Sequence, residues 1–301
     1  AAVMVELDAD EGVRAVVLDS VYPPNAPGYT EDAANSISAI ETLIKGCADD
    51  EECRAAFPGL KRRFYRTVAK LNDSPVEIGG YETNGDDLVN FLFDSLYDTA
   101  LIPYLPLVIY AASEDDFEPW NTLDTYMDGE GEEFGAGGTR RQDEPPPNDG
   151  DSQGMFYSVE CHDAVVFGDY KAAEKLVAEY PDAVTEGLLD SLEKMFAVCK
   201  LWGAGEGDAV EQEPVYSEIP TLIVSGEYDP VTPVRWAKLA GETLPNSFYV
   251  EMSRGGHGVT FDDECGQRVV RAFLNRPDRK PAASCMEDEY YPFVMDKDEL
   301  P

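Results

Sequence analysis

The 301-residue chain has few basic residues: 23 Lys and Arg stand against 60 Asp and Glu, so the formal net charge is −37. Nowhere do the basic residues gather into a stripe that could release counterions from a phosphate backbone, so we expect no nucleic-acid partner. The same repulsion disfavours an anionic membrane surface. The charge is typical of a solvated acidic surface, as in proteins that stay soluble in strong salt, and the alternative is a site for a basic partner.

Long apolar runs are also missing. None approaches the roughly 20 residues that a membrane-spanning helix needs, so we expect no membrane insertion. The first residues, from Ala1 to Val5, have neither an initiator Met nor the basic start and cleavage site of a signal peptide. We therefore expect a processed product or a fragment. Because 43% of the residues are hydrophobic, the chain can still bury a core.

Metal-binding motifs are absent as well. The chain has two histidines, no CxxC and no HExxH, so we expect no zinc site and no other metal. Asp8, Asp10 and Glu11 lack the rest of a calcium-binding loop, and a charged helix end explains them better. We interpret His162, which lies on a helical stretch between Cys161 and Asp163, as a structural or surface residue.

The number of cysteines is even. They are Cys47, Cys53, Cys161, Cys199, Cys265 and Cys285. Six cysteines allow fifteen pairings, among which the sequence alone does not choose. Our hypothesis is nearest-neighbour pairing, which closes three local loops and would place the protein outside the cytosol. Six buried free thiols are the alternative.

Three stretches predict strands of a parallel sheet. They are the β-branched run 13–19, which the prolines after residue 22 end, and the apolar runs 221–226 and 247–252. Helices are predicted at 235–244 and 262–274. A strand, helix, strand, helix order is typical of an α/β core.

The region between the first two strands is mostly helical in pattern. Apolar residues recur at helical spacing in 31–71, 86–112 and 161–198, residues 1–9 end a helix, and the proline-rich acidic stretch 128–154 predicts a flexible loop. We therefore predict an α/β fold with a partial, mainly parallel sheet and a large inserted helical cap. Residues 1–24 and 217–301 would form the core, and 25–216 the cap.

Two predicted strands end next to residues that can carry catalysis. Asp229 follows the second strand, and His257, flanked by glycines in Gly-Gly-His-Gly, follows the third. Because the carboxyl ends of parallel strands meet at one edge of a sheet, these side chains can form a hydrogen-bonded pair. In such a pair the carboxylate orients the imidazole and stabilises its protonated form, as a Ser-His-Asp triad requires.

These residues belong to a sequence that resembles, over nearly its whole length, the secreted tripeptidyl aminopeptidase-like branch of the α/β-hydrolases, serine peptidases related to proline iminopeptidase. The resemblance rests on GVRAVVLDSVYPP (12–24), GMFYSVEC (154–161), IPTLIVSGEYDPVTP (219–233) and GGHG (255–258), which occur in the family's order. It implies that Asp229 is the triad acid and His257 the general base, and it supports the cysteine pairing above.

The nucleophile of that family is missing from the expected place. Its GxSxG elbow precedes the helix that leads into the strand resembling 13–19, so it would lie before Ala1, in an N-terminal hydrolase segment that this chain lacks. One GxSxG occurs, around Ser152, but a polar proline-rich stretch precedes it where an elbow needs a buried strand. We interpret Ser152 as a weak candidate only.

Glu160 and Asp163 are candidates for pairing with the ammonium group of a substrate, although both can equally be solvated surface acids. The expected protein is a serine hydrolase outside the cytoplasm (secreted, periplasmic or at the cell surface) that cleaves residues from peptide N-termini or acts on another small acyl substrate. It needs no cofactor, and this chain alone would be inactive. The alternatives are a non-catalytic binding module on a degenerate hydrolase and an enzyme that uses Ser152.

Overall fold

The computed structural model describes residues 12–130, 152–205, 207–261, 263–285 and 291–301. The helix predicted at 1–9, the acidic residues considered for calcium and most of the predicted loop 128–154 lie outside these ranges. Within the described ranges, no helix has both the length and the apolar character that crossing a bilayer demands.

Strands and helices alternate in a mixed α/β architecture. The strands are β1 (Val16–Asp19), β2 (Val76–Ile78), β3 (Tyr81–Thr83), β4 (Thr221–Gly226) and β5 (Ser247–Met252). The helices are α1 (Gly28–Asp49), α2 (Glu51–Ala56), α3 (Leu60–Asp73), α4 (Gly85–Ser95), α5 (Leu105–Ser113), α6 (Glu118–Glu130), α7 (Gln153–Asp163), α8 (Tyr170–Val177), α9 (Asp182–Trp202), α10 (Val234–Gly241) and α11 (Glu264–Asn275).

The predicted parallel sheet is present, with the strand order β1, β4, β5. Val16 pairs with Thr221, and Thr221 pairs with Ser247, so all three strands run in one direction. Every residue of the central β4 is buried, in agreement with the apolar Leu222, Ile223 and Val224 at its centre. The carboxyl ends of the strands therefore meet at one edge.

Helices cover both faces of this sheet. Ile223 packs against Ala237 of α10 on one face, and Leu222 and Val224 pack with Phe273 of α11 on the other. Neighbouring residues of β4 point to opposite faces because side chains alternate along a strand. The result is the three-layer arrangement of a partial α/β-hydrolase fold.

The helices between β1 and β4 form a core of their own. Its fully buried members include Ile37, Ile40, Leu43, Phe64, Val68, Leu88, Phe91, Leu92 and Val108. Tyr228, from the turn after β4, is also buried in this core and approaches Gly46 of α1 closely. The turn that carries Asp229 is thereby anchored in the helical region.

Three disulfides join neighbouring elements. Cys47 bonds to Cys53 between α1 and α2, Cys161 to Cys199 between α7 and α9, and Cys265 of α11 to Cys285. These are the nearest-neighbour pairs that we hypothesised, and the alternative of six free thiols is wrong. Three disulfides are typical of an extracellular environment.

The cap contains elements that the sequence patterns did not predict, and α7 begins at Gln153, within the predicted loop 128–154 and before the helical stretch predicted from 161. β2 and β3 form an antiparallel hairpin, whose turn places Gly79 and Gly80 at φ +59° and +86°. The turn is typical of a two-residue hairpin, but strands of three residues carry too little alternation to recognise. Helix α6 was also missed, since its acidic sequence shows only a weak apolar stripe.

Candidate active site

Asp229 lies in the turn that follows β4. Its Oδ1 accepts hydrogen bonds from the backbone N–H groups of Val231 (2.9 Å) and Thr232 (2.8 Å), and its Oδ2 accepts one from the Thr232 hydroxyl at 2.7 Å. The side chain has no exposed surface. A carboxylate tolerates such burial because donors surround it. The same bonds fix the direction in which the carboxylate faces.

His257 lies in the turn after β5. Glycines allow the backbone of this turn to contact the end of β4 and the residue after α4. A Cβ atom on Gly226 would stand 2.0 Å from the carbonyl oxygen of Gly256. A Cβ atom on Gly256 would stand 2.3 Å from the carbonyl oxygen of Leu96, directly after α4. Only residues without a side chain permit both approaches. The tight backbone contact brings His257 to Asp229.

The two side chains form the pair that the strand ends predicted. The Nδ1 atom of His257 lies 3.0 Å from each carboxylate oxygen of Asp229. A proton on Nδ1 is donated to this carboxylate, which leaves Nε2 as the basic atom of the ring. All hydrogen bonds of the ring within the described residues involve Nδ1, and 29% of the side chain is exposed. Nε2 can therefore accept a proton from a group that approaches the exposed part of the ring.

Nearby carboxylates raise the pKa of His257 above its ordinary value. Burial lowers this pKa, but the hydrogen bond and charge of Asp229, together with the charge of Asp19, outweigh burial. The imidazole consequently binds a proton more readily than free histidine does. This is the property that a general base uses when it takes a proton from a hydroxyl group.

Asp19 and Ser20, at the end of β1, complete this edge of the sheet. Asp19 Oδ2 accepts hydrogen bonds from the N–H (2.8 Å) and the hydroxyl (2.6 Å) of Thr260, and Ser20 Oγ accepts one from the N–H of Gly258 at 2.8 Å. Ser20 has φ +52°, which is uncommon for a residue with a side chain. We did not predict a site role for either residue, although both end a strand that was correctly predicted.

Tyr97 covers the ring of His257. Their ring centroids are 5.1 Å apart with the rings at 61°, an edge-to-face contact. Burial raises the pKa of Tyr97, and the charges of Asp94, Asp229 and Asp32 raise it further. The tyrosine hydroxyl therefore stays protonated and carries no charge beside the imidazole.

Two carboxylates, Asp32 of α1 and Glu160 of α7, lie close enough for their charges to interact, and we call them the acidic wall. Glu160 Oε2 accepts a hydrogen bond from the Tyr29 hydroxyl at 2.8 Å. Desolvation by the surrounding protein and the charge of Glu160 raise the pKa of Asp32 to about 6, although the residue itself is exposed to solvent. We had predicted Glu160 as a candidate and had missed Asp32, because a single acid in a helical pattern carries no signal.

The other predicted residues lie elsewhere. Asp163 is exposed and contacts the ring of His162, its Oδ1 lying 2.6 Å from Nδ1. Their ligand atoms and those of Glu211 lie within 4.8 Å of one another, the one arrangement of described residues that could hold a metal ion.

Ser152 is the N-cap of α7, where its Oγ accepts the N–H of Met155 at 3.2 Å. Its φ of −104° is that of an ordinary cap and not of a strained elbow.

Two cavities lie apart from the Asp229–His257 pair, which lines neither of them. One, of about 320 Å³, lies beside β1 and is lined by residues 17–25 together with Val215, Ala240, Thr243 and Leu244. The other, of about 760 Å³, lies between the hairpin and helices α4, α6 and α9, and its lining includes Asp94, Asp124 and Asp190. Burial and the charge of Asp124 raise the pKa of Asp94 to about 7.

Comparison with known proteins supports the fold class. Residues 189–285, which contain β4, β5, Asp229 and His257, match the model of a family described as TAP-like protein, a family of α/β-hydrolases. No curated protein matches the chain. The C-terminal region thus carries a TAP-like α/β-hydrolase domain, and both members of the acid–base pair lie within it. The match supports a hydrolase of that fold.

Proposed function

We propose that this chain is the acid–base and substrate-binding part of a serine peptidase that removes residues from the N-termini of peptides. The observation that carries the proposal is the contact between the buried carboxylate of Asp229 and Nδ1 of His257, an imidazole whose side chain remains partly exposed. Aligned in this way, the pair can activate a hydroxyl group.

The chemistry follows from this geometry. Nε2 of His257 takes the proton of a serine hydroxyl while the serine oxygen bonds to the carbonyl carbon of the scissile peptide. Asp229 stabilises the imidazolium that forms. The imidazolium then gives its proton to the leaving amine as the C–N bond breaks, and an acyl-enzyme remains. Water, deprotonated by the same nitrogen, then attacks the ester carbon. The imidazolium returns this proton to the serine oxygen as the ester C–O bond breaks, and the acyl group leaves as a carboxylic acid.

The free edge of the sheet suggests where this serine lies. Among the described residues no strand pairs with the outer edge of β1, and the cavity beside it is lined mainly by apolar side chains. An open parallel edge of this kind needs a neighbour. We propose that an upstream hydrolase segment supplies a strand there, ending in the nucleophilic serine.

The acidic wall suggests the substrate. A peptide with a free N-terminus carries an ammonium group, which a carboxylate binds with a charge-assisted hydrogen bond. Asp32 and Glu160 lie close enough for their charges to interact. Together they offer a site for that ammonium group, so an exopeptidase fits better than an endopeptidase or a general esterase.

A fluorophosphonate probe, which modifies activated serines, tests the catalytic part. The full-length gene product and the 301-residue chain are labelled in parallel. We expect one labelled serine in the segment before Ala1, loss of labelling in His257→Ala, and no labelling of the shorter chain. Labelling of the folded shorter chain at Ser152, lost in Ser152→Ala, would show a different nucleophile. A folded full-length protein that takes no label would instead be a binding module.

Substrate choice is tested with peptide pairs that have a free or an acetylated N-terminus. We expect cleavage of the free peptide only. Asp32→Asn and Glu160→Gln should raise KM for it and leave kcat less affected. Asp163→Asn is the matched control, because Asp163 lies on the same helix as Glu160 but contacts His162. Equal cleavage of both peptides would refute the exopeptidase proposal.

A further inference from the structure

The segment that carries His257 is held at several points. On the N-terminal side, the N–H of Gly256 donates to the Thr99 hydroxyl at 3.0 Å. On the C-terminal side, the end of β1 accepts three hydrogen bonds: Ser20 from Gly258, and Asp19 two from Thr260. Asp229 contacts the ring itself. The three bonds to β1 fix the backbone directly after the histidine.

Asp19 also contributes to the electrostatic environment of the His257 imidazole. Its carboxyl is largely buried, and burial raises its pKa, while the two bonds from Thr260 and the charge of His257 lower it. The groups that face the imidazole are Asp229 from the turn after β4, Asp19 from β1 and Tyr97 from the segment after α4. Because Tyr97 stays neutral, the two carboxylates supply the charge around the ring.

We propose that Asp19 is a positioning residue of the candidate site: its carboxylate holds residues 258–260 against the end of β1 and adds a second negative charge beside the imidazole of His257. Asp19 ends β1 and Asp229 follows β4, and these strands are adjacent and parallel, since Asp19 pairs with Val224 of β4. The adjacency explains how two carboxylates 210 positions apart in the sequence serve one ring. This inference deepens the proposed function and rests on it.

A titration of His257 by NMR tests the proposal without any need for catalysis. The chain has two histidines, so the ring Cε1–H signals are two, and His162→Gln assigns them. Asp19→Asn keeps an oxygen that can accept from Thr260 but removes the charge. We expect this change to lower the pKa of His257 by about half a unit or more, and Asp19→Glu to restore most of it. Asp229→Asn should lower it further.

The matched control is Asp263→Asn. Asp263 is a buried carboxylate six positions after His257 that caps α11 and accepts the N–H of Gly266, a role that asparagine fills equally well. We expect this change to leave the pKa of His257 unchanged. In the unmodified protein, the NMR chemical shift of the Asp19 carboxyl carbon should also change as His257 titrates. This measurement does not depend on the folding of any variant.

The outcomes separate the two proposals. The role of Asp19 is refuted, and the proposed function stands, if Asp229→Asn lowers the pKa of His257 and Asp19→Asn does not. The same conclusion follows if the chemical shift of the Asp19 carboxyl carbon stays constant while His257 titrates. If neither substitution changes the pKa of His257, the acid–base pair itself is refuted, and the proposed function fails with it.

Discussion

Gly226 and Gly256 approach each other so closely that a Cβ atom on Gly226 would stand 2.0 Å from the carbonyl oxygen of Gly256. The two glycines end β4 and precede His257, respectively, so their contact sets the distance between the turns of the acid and the base. A methyl group there meets backbone, which cannot yield as a flexible side chain can.

Gly226→Ala is expected to push the two turns apart. We predict a loss of about 2 kcal/mol or more in the free energy of unfolding, as for other overpacked positions, and loss of the Asp229–His257 contact. Chemical denaturation and the NMR titration of His257 measure the two effects. Gly241→Ala is the control, because its Cβ would lie at an ordinary 3.5 Å from the Ile223 side chain. Equal stability of the two variants would contradict the prediction.

The rate of fluorophosphonate labelling in the full-length protein should rise with pH through the pKa of His257, which lies above the ordinary 6.5. The sign follows because the imidazole acts as a base only when neutral. Asp229→Asn removes the largest raising influence, so the midpoint should move to lower pH while the maximal rate falls by about 10⁴-fold. A midpoint that stays in place would show that another group controls the rate.

Asp94 should make the protein less stable as pH rises. Its pKa of about 7 in the fold, against an ordinary 3.8, means that the folded chain holds a proton that the unfolded chain has already released. Stability from this proton is present near pH 4 and is lost towards pH 7. We predict that Asp94→Asn raises the free energy of unfolding at pH 8 by about 1–3 kcal/mol and has little effect at pH 3. Asp190→Asn, which removes an exposed acid from the same cavity, is the control; a similar gain there would refute burial as the cause.

The disulfides should differ in what they contribute. Cys161–Cys199 closes a separation of 38 residues and Cys47–Cys53 one of 6. Replacing both cysteines by alanine should therefore cost about 4 kcal/mol for the first and about 2 for the second if chain entropy dominates. The first change should also raise KM for free peptides, because Cys161 is adjacent to Glu160. Thermal unfolding and kinetics measure both, and an equal stability loss would argue against the entropic account.

Much of the sheet and its acid–base pair was predictable. The stretches 13–19, 221–226 and 247–252 predicted strands, which the structure forms at Val16–Asp19, Thr221–Gly226 and Ser247–Met252, and parallel strands bring Asp229 and His257 to one edge. The contribution of Asp19 was not predictable in the same way. It depends on β1 lying directly beside β4, which no local pattern records.

The cap was predicted as helical but not in detail. Its hairpin has strands of only three residues. The two acids of the acidic wall have no sequence pattern that separates them from the other Asp and Glu residues, of which the chain has 60 in all. What distinguishes Asp32 is its place beside Glu160, which arises because α1 and α7 meet at the hydrogen bond from Tyr29 to Glu160. Such packing cannot be read from the periodicity of one helix.

The pairing of Val16 with Thr221 has a consequence for folding kinetics. About 200 residues separate these partners, and closing so long a loop costs entropy before any contact repays it. We expect the intervening helices to assemble first and the β1–β4 ladder to form last. Pulsed hydrogen exchange during refolding should show the amides of α1 and α3 protected before that of Val16, so the last event of folding would also be the one that brings Asp19 beside the Asp229–His257 pair.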